Sequence, residues 1–282
     1  MTAAVSPLAA TLRRHDRDRY QLALFAPRER RDALFALYAF NYELARIRES
    51  VREPMMGLMR LQWWRDALDE IYAGAKPRRH EVVEPLAAAV AAFRPARAHF
   101  TALLDARARD MDEMPPESLG DLERYAAGSS GSLNQLVLDL LGVGDTNARA
   151  AAQAVGIAYA LSGLLVAAPF HAHARRLYLP QELLARENVD LERSLFALKP
   201  SRELAAVAQT VARRAQTRLD EARRHRAILP RTALPALLPG VLAAQRLKRL
   251  ARAGFDVMDR RLAAADTLQS LRLTWATLRG RF

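Results

Sequence analysis

A chain of 282 residues with 43 lysines and arginines against 31 aspartates and glutamates carries a formal charge of +12, and 51% of its residues are apolar. Cysteine is absent, which excludes disulfides, thiolate zinc sites and a cysteine nucleophile. Alanine and leucine lead the apolar set while β-branched residues are sparse, so the expected class is all-α.

No apolar run reaches the roughly 20 residues of a membrane span; the longest, 156–170, contains Pro169. The opening MTAAVSPLAATLRRHDRDRY has no apolar run behind a basic start. A secretory signal is therefore not expected and the reading favours the cytoplasm, although the acid-poor composition is also that of organelle transit peptides. The positive charge is almost wholly arginine and is scattered among acids along helix faces, as on a solvated helical surface. No helix-turn-helix, zinc or RNA-binding signature accompanies it, so no specific nucleic-acid partner is expected.

In chain order, Pro27 opens a helical pattern with apolar residues at Leu34, Leu37, Tyr38, Leu44 and Ile47, ended by Pro54. A second runs over 55–72 with Leu58, Leu61, Trp64, Leu68 and Ile71 on one stripe and Gly74 as its stop. Further helices are expected over 82–93, 95–111 and 119–141, each closed by proline or glycine. Asp145-Thr146-Asn147 offers caps for a helix over 148–168, whose Gly156, Gly163 and many alanines predict close packing at the centre of the molecule. Pro180 starts a short helix and Asn188 a turn, and the last helices are expected over 201–228, 235–253 and 268–280. With no strand pattern, repeat or linker, one domain over 1–282 is the economical reading.

Several blocks carry a family resemblance. DRYQLALFAPRERRDALFALYAF at 18–40, LQWWRDALDEIYAG at 61–74, HEVVEPLAAAV at 80–90, LLDARARDMD at 103–112, LERYAAGSSGSL at 122–133 and ARRLYLPQELL at 174–184 stand in order along nearly the whole chain. Together they resemble squalene and phytoene synthases, which implies an isoprenoid-synthase-like helical bundle around a central cavity. The resemblance further implies two acidic motifs facing each other across that cavity and holding magnesium on substrate diphosphates, chemistry that needs several carboxylates because magnesium is a hard, oxygen-seeking cation.

Those acids are missing. The first motif lines up with Ala45-Arg46-Ile47-Arg48-Glu49, where only Glu49 could still bind metal. The two aspartates of the second fall on Ala167 and His171, and no Asp or Glu occurs between Asp145 and Glu182. The chain thus resembles a divergent branch of the family, typified by an assembly factor for mitochondrial complex I, an impression strengthened by ARRLYLP, ARRHRAILPRTALPALLPGVLAAQRLKRL, FDVMDRRL and LRLTWATLRGRF. The expected function is that of a catalytically degenerate accessory or assembly factor without cofactor, whose partner is a protein such as a respiratory complex I subunit. An isoprenoid or lipid ligand in the old cavity stays open at this point. The alternative is an active isoprenyl-diphosphate transferase with an altered magnesium site.

The candidate site residues follow. Arg46, Arg48, Arg175, Arg176 and Tyr178 are candidates for gripping a diphosphate or other anion, since guanidinium forks hold phosphate without metal; Arg175 and Arg176 are equally suited to closing a helix C-terminus. Glu49, Asp105 and Asp110 are the residual acids, grouped with Asp112 and Glu113. His171 and His173 have no acidic partner nearby in sequence and are not expected to hold a metal. Trp63, Trp64, Tyr72, Tyr125 and Tyr159 either line an apolar pocket or form ordinary core. GSSGSL lacks the lysine and strand of a phosphate loop, so its small residues are expected to let helices approach. RLKRLAR at 246–252 alternates charge with apolar residues, as on a solvated helix or one touching an anionic membrane peripherally.

Overall fold

The computed structural model describes residues 6–264 and 266–282, so the first five residues of the opening read above, and residue 265, lie outside the described residues. Among the described residues there is no strand. The chain opens with a helical pair, α1 (Pro7–His15) and α2 (Arg17–Ala23), hinged at Asp16, whose side chain accepts the Arg19 backbone N–H at 3.2 Å and caps α2. The expected helix after Pro27 is α3 (Arg31–Arg46) with a 3₁₀ turn at each end, Arg28–Arg30 and Arg48–Ser50. Then come α4 (Pro54–Tyr72), α5 (Val83–Phe93) and α6 (Arg97–Ala108), the last running into a 3₁₀ turn at Arg109–Met111.

The helix expected over 119–141 is interrupted. It consists of α7 (Leu119–Ala126), a five-residue π turn (Ala127–Gly131) and α8 (Ser132–Leu141). The central helix is α9 (Thr146–Val166), capped by the Asp145 carboxylate accepting from the Ala148 N–H at 2.7 Å. The remainder comprises α10 (Ala168–His173), α11 (Gln181–Arg186), α12 (Arg202–Arg224), α13 (Leu234–Leu237), α14 (Pro239–Arg252) and α15 (Gln269–Leu278). Pro239 divides the helix expected over 235–253, because its ring starts a new helix more readily than it continues one.

One cluster of buried side chains runs through the bundle, with α9 at its axis against α7, α8, α12 and α14, and α3 against α1, α5 and α8. By length and composition α9 is able to cross a membrane, contrary to the sequence expectation, because it begins ten residues earlier than the apolar run read there. Its most apolar window is 56% buried inside the bundle, as befits a core helix.

The small residues of 128–133 do what their size predicts. The π turn lies on α9, where a Cβ on Gly156 would sit 2.6 Å from the Ser130 carbonyl oxygen and 2.7 Å from Gly131 Cα. Backbone meets backbone there, so no side chain can move aside. The leucines of RLKRLAR face the core while Lys248 and Arg252 are exposed, as on a solvated helix: Leu247 and Leu250 are buried, and Arg246 donates to Asp18 at 2.6 Å across the bundle. Asp18 also accepts from the Tyr159 hydroxyl at 3.1 Å and from Gln269 Nε2 at 2.7 Å, tying α2, α9, α14 and α15 into one network.

Gly156→Ala is expected to destabilise the protein by about 1–3 kcal/mol through overpacking, read as a lower urea midpoint, while Gly144→Ala, with open space around the added Cβ, leaves the midpoint nearly unchanged.

Candidate functional site

The 3₁₀ turn after α6 swings Asp110 into the bundle, where its side chain is 4% exposed. A lone carboxylate in that setting would be costly, and the fold surrounds it with donors. Tyr125 of α7 donates to Oδ1 at 2.8 Å and Tyr178 at 3.0 Å, and Arg107 donates to Oδ2 at 3.2 Å and to the Tyr125 hydroxyl at 2.9 Å. Burial works against the Arg107 charge, but Tyr125 and Asp110 outweigh it and raise its pKa. Burial likewise drives the Tyr125 and Tyr178 hydroxyls well above the ordinary phenol value, so both stay donors at neutral pH.

The segment after α10 closes this end. Arg175 takes a left-handed conformation with φ of 52°, and the Arg175 and Arg176 N–H groups fold back onto the Ala172 and His171 carbonyls, each at 2.9 Å. The chain is then clamped to the α6–α7 loop: Gln181 N–H donates to the Pro116 carbonyl at 2.9 Å and Glu182 N–H to the Glu117 carbonyl at 3.0 Å, while the Glu182 carboxylate accepts from Leu119 N–H at 2.7 Å at the start of α7. This geometry delivers Tyr178 to Asp110.

A cavity of about 200 Å³ opens above the network, with Arg48, Arg109, Arg175, Arg176, Asp112 and Glu113 at its walls. Of the sequence candidates, Arg48, Arg175, Arg176, Tyr178 and Asp110 meet here. Arg176 donates to the Arg48 carbonyl at 2.9 Å and so joins the end of α3 to the loop. Arg175 is partly engaged, paired with Glu192 and stacked 4.5 Å over Phe196.

Three candidates lie elsewhere. Arg46 turns to a second cavity of about 380 Å³ beside Trp63, Trp64 and His80, paired with Glu43 at 3.4 Å, because it stands two residues from Arg48 and so on a different side of the helix. Glu49 is exposed and lines neither cavity. Asp105, five residues before Asp110, faces outward and pairs with Arg65 at 2.7 Å. The aromatic set does not line one pocket either. Trp64 packs edge-on against Phe40 at 5.1 Å, Tyr72 donates to the Pro95 carbonyl at 2.7 Å, and Tyr159 belongs to the Asp18 network, its hydroxyl pushed up to about 12 by burial and by Asp18.

His171 is the site residue that sequence reasoning passed over. Its ring lies 4.5 Å from that of Tyr178 and its Nδ1 is buried without a partner. Burial lowers its pKa to about 4, with Asp110 opposing and Arg176 assisting. The available signal was its alignment with a lost aspartate; Asp110, whose charge acts on it, is 61 residues away.

Magnesium does not fit these residues. By the correspondence the resemblance implies, the metal-holding positions carry Arg46, Arg48, Ala167 and His171 and keep Glu49 as their one acid, and both Asp110 oxygens already accept hydrogen bonds. Among the described residues no three histidines, cysteines or carboxylates converge as a metal-holding group.

These helices and their placement define an isoprenoid-synthase bundle. The sequence profile of the squalene/phytoene synthase family matches residues 12–275, and the chain belongs to that family. It is 33% identical over 96% of its length to complex I assembly factor 6 of Bos taurus, covering 81% of that protein. Its identity to a phytoene synthase of Rhodobacter capsulatus is 27%, over 83% of this chain and 69% of that one. Among solved structures, a dehydrosqualene synthase in complex with ligand superposes with a TM-score of 0.81 at 18% identity, covering 96% of this chain and 94% of that one.

Asp110→Ala leaves Arg107 buried without its anion and is expected to cost about 3–5 kcal/mol, whereas Tyr178→Phe, which removes one of three donors, costs about 1 kcal/mol; chemical denaturation distinguishes the two. His171 gives a pH signature. Its folded-state pKa lies below the roughly 6.5 of an unfolded imidazole, so the unfolded chain takes up the proton first as pH falls. The His171 contribution is complete above about 6.5 and shrinks toward pH 4, by about 2–4 kcal/mol in all. Thermal melts between pH 7 and 4.5 should fall less steeply for His171→Phe than for the parent chain.

Proposed function

We propose that this chain is a non-catalytic accessory factor that uses the synthase bundle as a scaffold in the assembly of respiratory complex I. One observation carries the reading: where prenyl transfer needs a carboxylate cluster the chain has Arg46, Arg48, Ala167 and His171, and its one deeply buried acid at this end, Asp110, is held by Arg107, Tyr125 and Tyr178. Arginines repel magnesium where carboxylates would gather it, so diphosphate ionisation has no electrophile. The similarity to assembly factor 6 supports the same direction.

An isoprenoid carrier is less well supported, because the cavity of about 200 Å³ above Asp110 falls short of the roughly 300–1,000 Å³ of ligand pockets, and the second, of about 380 Å³, sets Glu43, Arg46, Arg60 and Glu81 around its two tryptophans. A protein partner finds a better surface on the first turns of α4. Met55, Met56 and Met59 are exposed there, and Leu58, expected on the buried stripe, is 40% exposed. Methionine adapts its shape to a partner at little cost.

The purified chain is expected to release no diphosphate from farnesyl or geranylgeranyl diphosphate with magnesium, and its deletion from the source organism is expected to lower assembled complex I on native gels. Complementation with Met55→Asp/Met59→Asp should fail although that variant folds. Turnover on the order of 1 s⁻¹ or faster, the range of working enzymes, or full complex I levels in the deletion strain, would reject the reading.

A further inference from the structure

Helix α15 has two apolar faces, and the bundle uses one. Leu273 and Ala276 are buried against the protein, and Gln269 on the same side donates to Asp18 and to Gln21 at 2.9 Å. On the outer side Leu268, Leu271, Trp275 and Leu278 are 50%, 66%, 57% and 71% exposed. At 3.6 residues per turn these four fall within an arc of about 80°, opposite the buried side. A stripe of three leucines and a tryptophan along a surface helix is not ordinary scatter of exposed apolar groups.

The chemistry around the stripe narrows what covers it. Arg272 and Arg279 flank one edge, and Arg281 follows the helix. Asp266 is the one acid between 266 and 282, and it is already paired with Arg272. Arg279 lies 4.0 Å over the Trp275 ring, and neither Arg279 nor Arg281 forms an ion pair among the described residues. Packing α15 against a second copy of itself would bring these arginines together with no acid to meet them, which is unfavourable. An anionic bilayer supplies both missing halves, apolar chains for the leucines and tryptophan and phosphates for the arginines. Beside Thr277 of the same helix lies a groove of about 410 Å³ walled by Phe25, Leu234, Pro235 and Leu238, with Arg231 also at its wall, of the same apolar and basic character.

We propose that this face is a peripheral membrane contact, in which α15 lies along an anionic lipid surface with Leu268, Leu271, Trp275 and Leu278 among the acyl chains and Arg279 and Arg281 at the phosphates. It is distinct from RLKRLAR, whose leucines face the core.

The test is flotation of the full chain with phosphatidylcholine vesicles made with and without phosphatidylglycerol. Binding is expected to the phosphatidylglycerol vesicles and to weaken as salt screens the arginines. Leu271→Ser and Trp275→Ser should each bind about tenfold more weakly, the change expected when one large apolar side chain no longer leaves water. Arg279→Glu/Arg281→Glu should lose the preference for anionic lipid. All four positions are exposed, so circular dichroism and melting temperature should match the parent chain and leave the comparison interpretable. Absence of flotation, equal flotation of Trp275→Ser, or a parent dimer that Trp275→Ser turns into monomer by light scattering would overturn the proposal, the last by assigning the stripe to a second copy.

Discussion

The carboxylate of Asp110 is the hinge on which this end of the molecule depends. Removing a charge from water is costly, and the cost is offset only when geometry supplies donors at hydrogen-bond distance. Here they come from α6, α7 and the loop after α10, three segments spread from Arg107 to Tyr178. The donors to this one buried acid thus bring together α6, α7 and the loop that carries the left-handed turn at Arg175 and the clamp of residues 181–182 onto 116–117. A second network about Asp18 joins the opening helices to α9, α14 and α15 in the same way.

Between these two networks stands α9, which is held by shape more than by charge. Its contact with the π turn is backbone on backbone at Gly156, a distance no other residue permits.

The proposed non-catalytic role turns on electrostatics. The YLP segment and the small-residue motif keep their places in the bundle, yet the resemblance sets Arg46, Arg48, Ala167 and His171 at the metal-holding positions and leaves Glu49 as the one acid there. Helical packing responds to the size and polarity of the buried face, so the fold tolerates such exchanges at a cavity wall. Metal chemistry does not, because it needs several oxygen donors converging on one point.

The sequence by itself determined the class and most of the helices, because apolar residues at helical spacing, with proline and glycine at the ends, are local signals. The resemblance it carried set the family, and the lost acids were legible as plain absences between Asp145 and Glu182. Only tertiary structure decided which candidates meet. Neighbours in sequence parted, Arg46 from Arg48 and Asp105 from Asp110, since residues a few positions apart on a helix face different ways. Distant ones converged, His171 beside Tyr178 near Asp110 and Arg246 on Asp18. The same holds for the two basic amphipathic stretches near the end of the chain: RLKRLAR and α15 both alternate charge and apolar residues, and which leucines become core was settled by what the rest of the bundle packs against them.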